Sequence, residues 1–239
     1  MIFQVSSEAV RNDSHRPVLL MLALALLTPA VRGQVDPKSL DEYRGFRVDY
    51  SEVRSEPTYE TLRAAVNKQI QMVVAVGLPD NTLAFFRSVP LNVVRGNPGF
   101  GGQYVKRDKK IALAASFLER GHKPALLHEF LHAYHNQVLP DGYQNKTVLM
   151  YYERAKATNA YDAKSHMMAN VKEYFASAAT AYLFGVTQLE PFTREKVEKN
   201  QPAFHKYLQS LFGPGAGKYR GTIAPPSPPV KGVSHRELQ

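Results

Sequence analysis

"ALLHEFLHAYHNQV", residues 125–138, places three of the chain's eight histidines within eight positions. Leu126, Phe130, Leu131 and Ala133 recur at helical spacing, so the segment reads as an amphipathic helix from Lys123 to about Leu139. Pro140, Asp141 and Gly142 end it. Side chains at i and i+4 lie one above the other on a helix, which lets His128 and His132 present two imidazole nitrogens to one point. Glu129 stands about 100° round the helix, beside that point and outside the ligand pair. There its carboxylate can take a proton from a water. His-Glu-x-x-His is the residue order of metal-dependent hydrolysis, with each histidine nitrogen about 2.0–2.1 Å from a zinc ion. The competing reading is a surface helix that carries two unrelated histidines.

A catalytic metal needs a third protein ligand. The chain has no cysteine, so that ligand must be His, Asp or Glu. A motif extended by Gly at 135 and His at 138 is absent, because His135 and Val138 stand there. His135 continues the histidine stripe, but it lies about 10 Å along the helix axis from His128, so it is expected as a polar neighbour or as support for a ligand. Asp162 is a possible aspartate ligand in a weakly structured segment. Glu173 is the strongest candidate. It is the lone acid in "NVKEYFASAATAYLFG", residues 170–185, a helix rich in Ala, Phe and Tyr that Asn170 would cap and Gly185 would close. Ala176, Ser177 and Thr180 share its side and are small enough to let another helix approach. A carboxylate on such a face needs a strong partner, since an unpaired buried charge is costly.

Outward from these two helices, Thr58 to Val76 has a helical apolar face of Leu62, Ala65, Val66, Ile70 and Val73. Lys146–Thr158 and Pro202–Phe212 read as helices too. Strands are expected at Leu91–Val94, Gln103–Val105 and Lys110–Ala115, with a Gly/Pro-rich loop at Gly96–Gly102. Thr82–Val89 is a short apolar stretch, and residues 34–57 show little periodicity. The strand in "KKIALAAS", residues 109–116, is expected to be the sheet edge that holds an extended substrate by backbone pairing. The whole predicts an α+β fold: a small mixed sheet packed on the active-site helix, plus a mainly helical C-terminal part.

The chain has 239 residues, 44% hydrophobic and 21% charged, which points to a globular protein. Its formal net charge is +9, spread along the chain apart from a short cluster at Lys106, Arg107, Lys109 and Lys110. No nucleic-acid motif accompanies that charge, so no nucleic-acid partner is expected. Arg11 and Arg16 precede an apolar run from Val18 to Leu27, and Val31-Arg32-Gly33 follows. This predicts a signal peptide over residues 1–33 and a mature chain beginning near Gln34, secreted or periplasmic, without stable membrane insertion after cleavage. The last segment, 214–239, is Pro-rich and expected to be disordered.

"HEFLH" at 128–132, "NVKEYFA" at 170–176 and "PFTREKVEKNQPAFHKYLQSLFG" at 191–213 together resemble the anthrax-lethal-factor-like group of gluzincin zinc peptidases, over about residues 80–213. The resemblance implies a zincin-like catalytic domain within 34–213 and an exported zinc metallopeptidase acting on a peptide or protein substrate. It implies Zn2+ held by His128, His132 and Glu173, with Glu129 as general base. Lethal-factor-type members carry a tyrosine seven residues before the ligand glutamate, as donor to the transition-state oxyanion. Here His166 stands at that position, and Tyr161 is the nearby alternative. The loss of that tyrosine supports the competing function, a metal-binding or interaction module on the same scaffold with little or no turnover.

Overall fold

The computed structural model describes residues 40–95, 101–115 and 123–215. The expected signal segment, the start near Gln34, most of the Gly96–Gly102 loop and residues 216–239 of the expected tail lie outside the described residues.

A five-stranded mixed sheet forms from β1 (Leu40–Tyr43), β2 (Phe46–Asp49), β3 (Leu91–Val94), β4 (Gly102–Val105) and β5 (Lys110–Ala114), in the order β1-β2-β3-β5-β4. The pairs β2–β3 and β3–β5 are parallel; β1–β2 and β4–β5 are antiparallel. The β1–β2 hairpin falls in the stretch read as lacking periodicity. Its strands are only four residues long, too short for alternation to show. Arg44 and Gly45, at φ of 52° and 83°, make the turn with the left-handed conformation that tight hairpins need.

The sheet order corrects one expectation. β5, the strand of "KKIALAAS", lies inside the sheet between β3 and β4, and among the described residues β4 is the edge beside it. Ile111 and Leu113 are fully buried, as an interior strand requires.

Among the described residues the sheet is joined by seven α-helices: α1 (Tyr59–Ala75), α2 (Asp80–Ser88), α3 (Ala125–Gln137), α4 (Lys146–Ala157), α5 (Val171–Phe184), α6 (Arg194–Asn200) and α7 (Pro202–Phe212). The architecture is α+β. α2 occupies the stretch left unassigned in the sequence, and α6 was not expected. Both are short and bury few side chains, Thr82 and Phe86 in α2 and Val197 in α6.

α3 packs against β4, α1 and α5, with α5 its most extensive contact. Its Leu126, Leu127, Phe130 and Leu131 are fully buried, and Phe130 stacks on Phe86 of α2 with ring centroids 4.7 Å apart. Burying four such side chains contributes roughly 1.5–3 kcal/mol each. α3 begins after Pro124 with no side-chain cap of its own. Gln69, buried on α1, supplies one: its Oε1 accepts from Leu126 N (3.2 Å), while its Nε2 donates to Lys123 O (2.8 Å). At the other end the chain turns through Asp141 and Gly142, both at positive φ. A Cβ on Gly142 would meet the carbonyl oxygen of Asn136 at 2.7 Å, so only glycine fits.

The C-terminal helices form one layer on α5. Tyr174 donates to Gln201 Oε1 (2.6 Å), and Gln201 Nε2 donates to Tyr151 O (3.0 Å), tying α5, α4 and the start of α7 together. Tyr174 also stacks on Phe204 at 4.8 Å.

Candidate metal centre

The two-histidine face of α3 and the first turn of α5 meet. Asn170 is extended and its side chain accepts from Lys172 N (3.0 Å) and Glu173 N (3.1 Å), so it caps α5 and fixes the turn that carries Glu173. Ala176, Ser177 and Thr180 are buried, the last two in the wall of the cleft, and Thr180 satisfies its own hydroxyl by donating to Ala176 O (2.6 Å). Small side chains on this face let α5 come close enough for Glu173 to reach α3.

Three donor atoms converge there. His128 Nε2 and His132 Nε2 are 3.1 Å apart, and Glu173 Oε2 lies 3.2 Å from the first and 3.3 Å from the second. Tetrahedral ligands at about 2.0–2.1 Å from one zinc ion would stand roughly 3.3–3.4 Å from each other, so this triangle fits such an ion. Hydrogen bonding alone serves it poorly. If both Nε2 atoms carry protons to satisfy the carboxylate, they face each other N–H to N–H. If one does not, its lone pair faces the carboxylate. A shared cation removes the conflict.

The electrostatics are those of a pre-organised anion among imidazoles. Burial alone would raise the Glu173 carboxyl, but bonds from His128 and His132 hold it far below the usual carboxylate range. Burial works against a charged His128, and Glu173 and Glu129 outweigh it, so its pKa is raised.

His166 joins the same group. Its Nε2 is 2.9 Å from Glu173 Oε2, and His128, His166 and Glu173 offer ligand atoms all within 4.8 Å of one another. It reaches there from a short 3-10 turn, His166–Met168, and the extended Asn170 separates that turn from α5. A carboxylate oxygen only accepts, so a hydrogen bond along this contact requires the proton on Nε2. Tyr161, the alternative donor, has its hydroxyl buried without a hydrogen-bond partner among the described residues and does not line the cleft. Asp162 is exposed and its carboxylate accepts from Lys164 N, so it takes no part.

Glu129 faces the same cleft from α3. Its Oε2 accepts from Tyr104 N on the edge strand β4 at 2.8 Å. The cleft measures about 730 Å³, within the range of ligand sites, and Gly102, Gln103 and Tyr104 of β4 form one wall.

His135 corrects a further expectation. It is fully buried with both ring nitrogens unpartnered among the described residues, so it supports no described ligand by hydrogen bonding. It packs as an aromatic ring, 4.7 Å from Phe175 and 5.1 Å from Tyr143. Burial, with His132 nearby, pushes its pKa down to about 3, so it is neutral.

Sequence reasoning missed Tyr143. It sits in a single 3-10 turn, Gly142–Gln144, with no motif around it, and only packing on His135 brings it to the cleft. Burial, with Glu129 and Glu173 nearby, raises its phenol pKa and keeps it a donor.

No family model and no curated protein matches the chain. Among solved structures it is similar to the Pro-Pro endopeptidase PPEP-2 from Paenibacillus alvei, at 18% identity and a TM-score of 0.47, over 69% of this chain and 97% of that one.

Proposed function

We propose that the protein is an exported zinc metallopeptidase that hydrolyses a peptide bond in the cleft between β4 and α5. The observation that carries this reading is the triangle of His128, His132 and Glu173 donor atoms, with 3.1–3.3 Å sides, beside the Glu129 carboxylate. Two imidazoles and one carboxylate suit zinc and leave a coordination position open. Bound there, the ion would polarise the scissile carbonyl and acidify water.

The chain's own groups supply the rest. Glu129 takes the proton of the attacking water and returns it to the leaving amine. Its bond from Tyr104 N holds one carboxylate oxygen and leaves the other for that transfer. His166, with its proton on Nε2, donates to the carbonyl oxygen as charge develops there. Export rests on the N-terminal apolar run, and N-terminal sequencing of exported material checks it: intact Met1 in the cytosol removes the claim.

The decisive experiment is Glu129→Gln, with zinc content and cleavage of a peptide library measured on the same samples. The variant is expected to keep its zinc and lose cleavage. A wild-type protein that holds zinc and cuts nothing favours the second reading, a metal-binding module without turnover. One observation speaks for that reading: His166 lies close enough to Glu173 and His128 to serve as a further ligand, which would close the site.

A further inference from the structure

Tyr143 carries two cations on one ring. Lys106 Nζ, just past β4, lies 5.8 Å from the ring centroid, and Lys172 Nζ, in the first turn of α5, lies 5.6 Å from it. Lys172, Lys123 and Tyr143 line the metal cleft, while Lys106 reaches it only through its contact with the Tyr143 ring. Among the described residues, none of these three lysines has an ion-pair partner. The Tyr143 hydroxyl likewise makes no hydrogen bond there.

Each carboxylate of the cleft already faces a partner other than these lysines. Glu173 faces imidazoles, Glu129 accepts from Tyr104 N, and Glu190 is paired with Lys196 at 2.6 Å. The cleft therefore offers cations and a phenol donor that pair with no carboxylate among the described residues. Lysine ammoniums on long flexible stems suit an anion whose position varies, and contact with one aromatic ring ties both to the same corner.

We propose that Lys106, Lys172 and Tyr143 form a subsite for a carboxylate of the substrate, so that the site selects acidic peptides. This rests on the peptidase reading for its consequence in cleavage, but binding tests it separately. The carboxylate can come from an Asp or Glu side chain or from the peptide's C-terminus.

The test uses three fluorescent peptide pools of identical length and neutral background. One carries a Glu and an amidated end, one a Gln and an amidated end, and one a Gln and a free C-terminal carboxylate. Binding is measured on zinc-loaded Glu129→Gln and cleavage on the wild type. The Glu pool or the free-acid pool is expected to bind about tenfold tighter than the neutral pool, and whichever does so identifies the source. That preference should shrink in Lys106→Ala and in Lys172→Ala and fall with added salt, because both stems are exposed. Tyr143→Phe should lower it too. Lys68→Ala, on the exposed face of α1, removes equal charge and should leave it intact. Equal binding of all three pools overturns the subsite, as does a preference that survives Lys106→Ala and Lys172→Ala together. Cleavage without acidic preference overturns the subsite and leaves the peptidase standing. Selective binding without any cleavage supports the subsite and sinks the peptidase.

Discussion

Glu173 Oε2 faces the Nε2 atoms of His128, His132 and His166 at 3.2, 3.3 and 2.9 Å, but the three imidazoles are held differently. His128 and His132 stand on a packed helix, with side chains 19% and 9% exposed, whereas His166 is 47% exposed on a single turn. We expect His166→Ala to keep its metal and lose about 10²–10³ in turnover, the usual cost of one oxyanion donor. His166→Tyr should retain activity. Metal affinity that falls tenfold or more in His166→Ala would assign it to the ligand set. His135 gives a prediction in pH. Its folded pKa of about 3 is below the ordinary 6.5, so the unfolded chain binds the proton more readily. Its contribution is therefore full above about pH 6.5 and is lost as pH falls toward 3, by on the order of a few kcal/mol. Denaturation of metal-free His135→Leu should show a flatter acid limb than the wild type; parallel limbs would dismiss the idea. The i, i+4 histidines and the lone acid of an apolar helix were legible because both signals are local. Tyr143 was not, because only tertiary packing brings it to the cleft, and His135 was misread because its surroundings are aromatic.

At the scale of the element, the site depends on two helix starts. α5 is capped by its own Asn170, a signal readable in the sequence. α3 borrows its cap from Gln69, 57 residues before Leu126, which no local pattern reveals. Asn170→Ala should cost about 0.5–2 kcal/mol and weaken metal binding as well, since the freed turn carries Glu173. Chemical denaturation and metal titration on one sample check this. Lost stability with unchanged affinity would show that packing alone holds the turn. Gln69→Leu leaves Leu126 N and Lys123 O without their partner and should cost roughly 1–3 kcal/mol. The long helices were readable from their apolar faces and stop residues. α2 and α6 were not, at nine and seven residues, although Thr193, whose side chain accepts from Lys196 N, was a usable start signal for α6.

For the whole molecule, His128 and His132 belong to the helix packed on the sheet, while Glu173 belongs to the helix that anchors the C-terminal layer. A metal bound to all three clamps these parts together. Zinc at about a thousandfold excess over its Kd should add about 4 kcal/mol, raising Tm by on the order of 10 °C for a chain of this size. Calorimetry with and without a chelator measures it, and an unchanged Tm would argue against a shared ion. Strand order was beyond the sequence, because parallel pairing of β2 with β3 joins residues more than forty apart and leaves no local mark. Among the described residues, that order puts Tyr104 on the edge of the sheet, with its amide given to Glu129. An edge amide in water would exchange its hydrogen quickly, whereas this one is held by the proposed base. Its exchange rate and its nitrogen-15 resonance therefore report from within on whether Glu129 is charged, protonated or drawn toward a bound peptide, with no label added to the cleft.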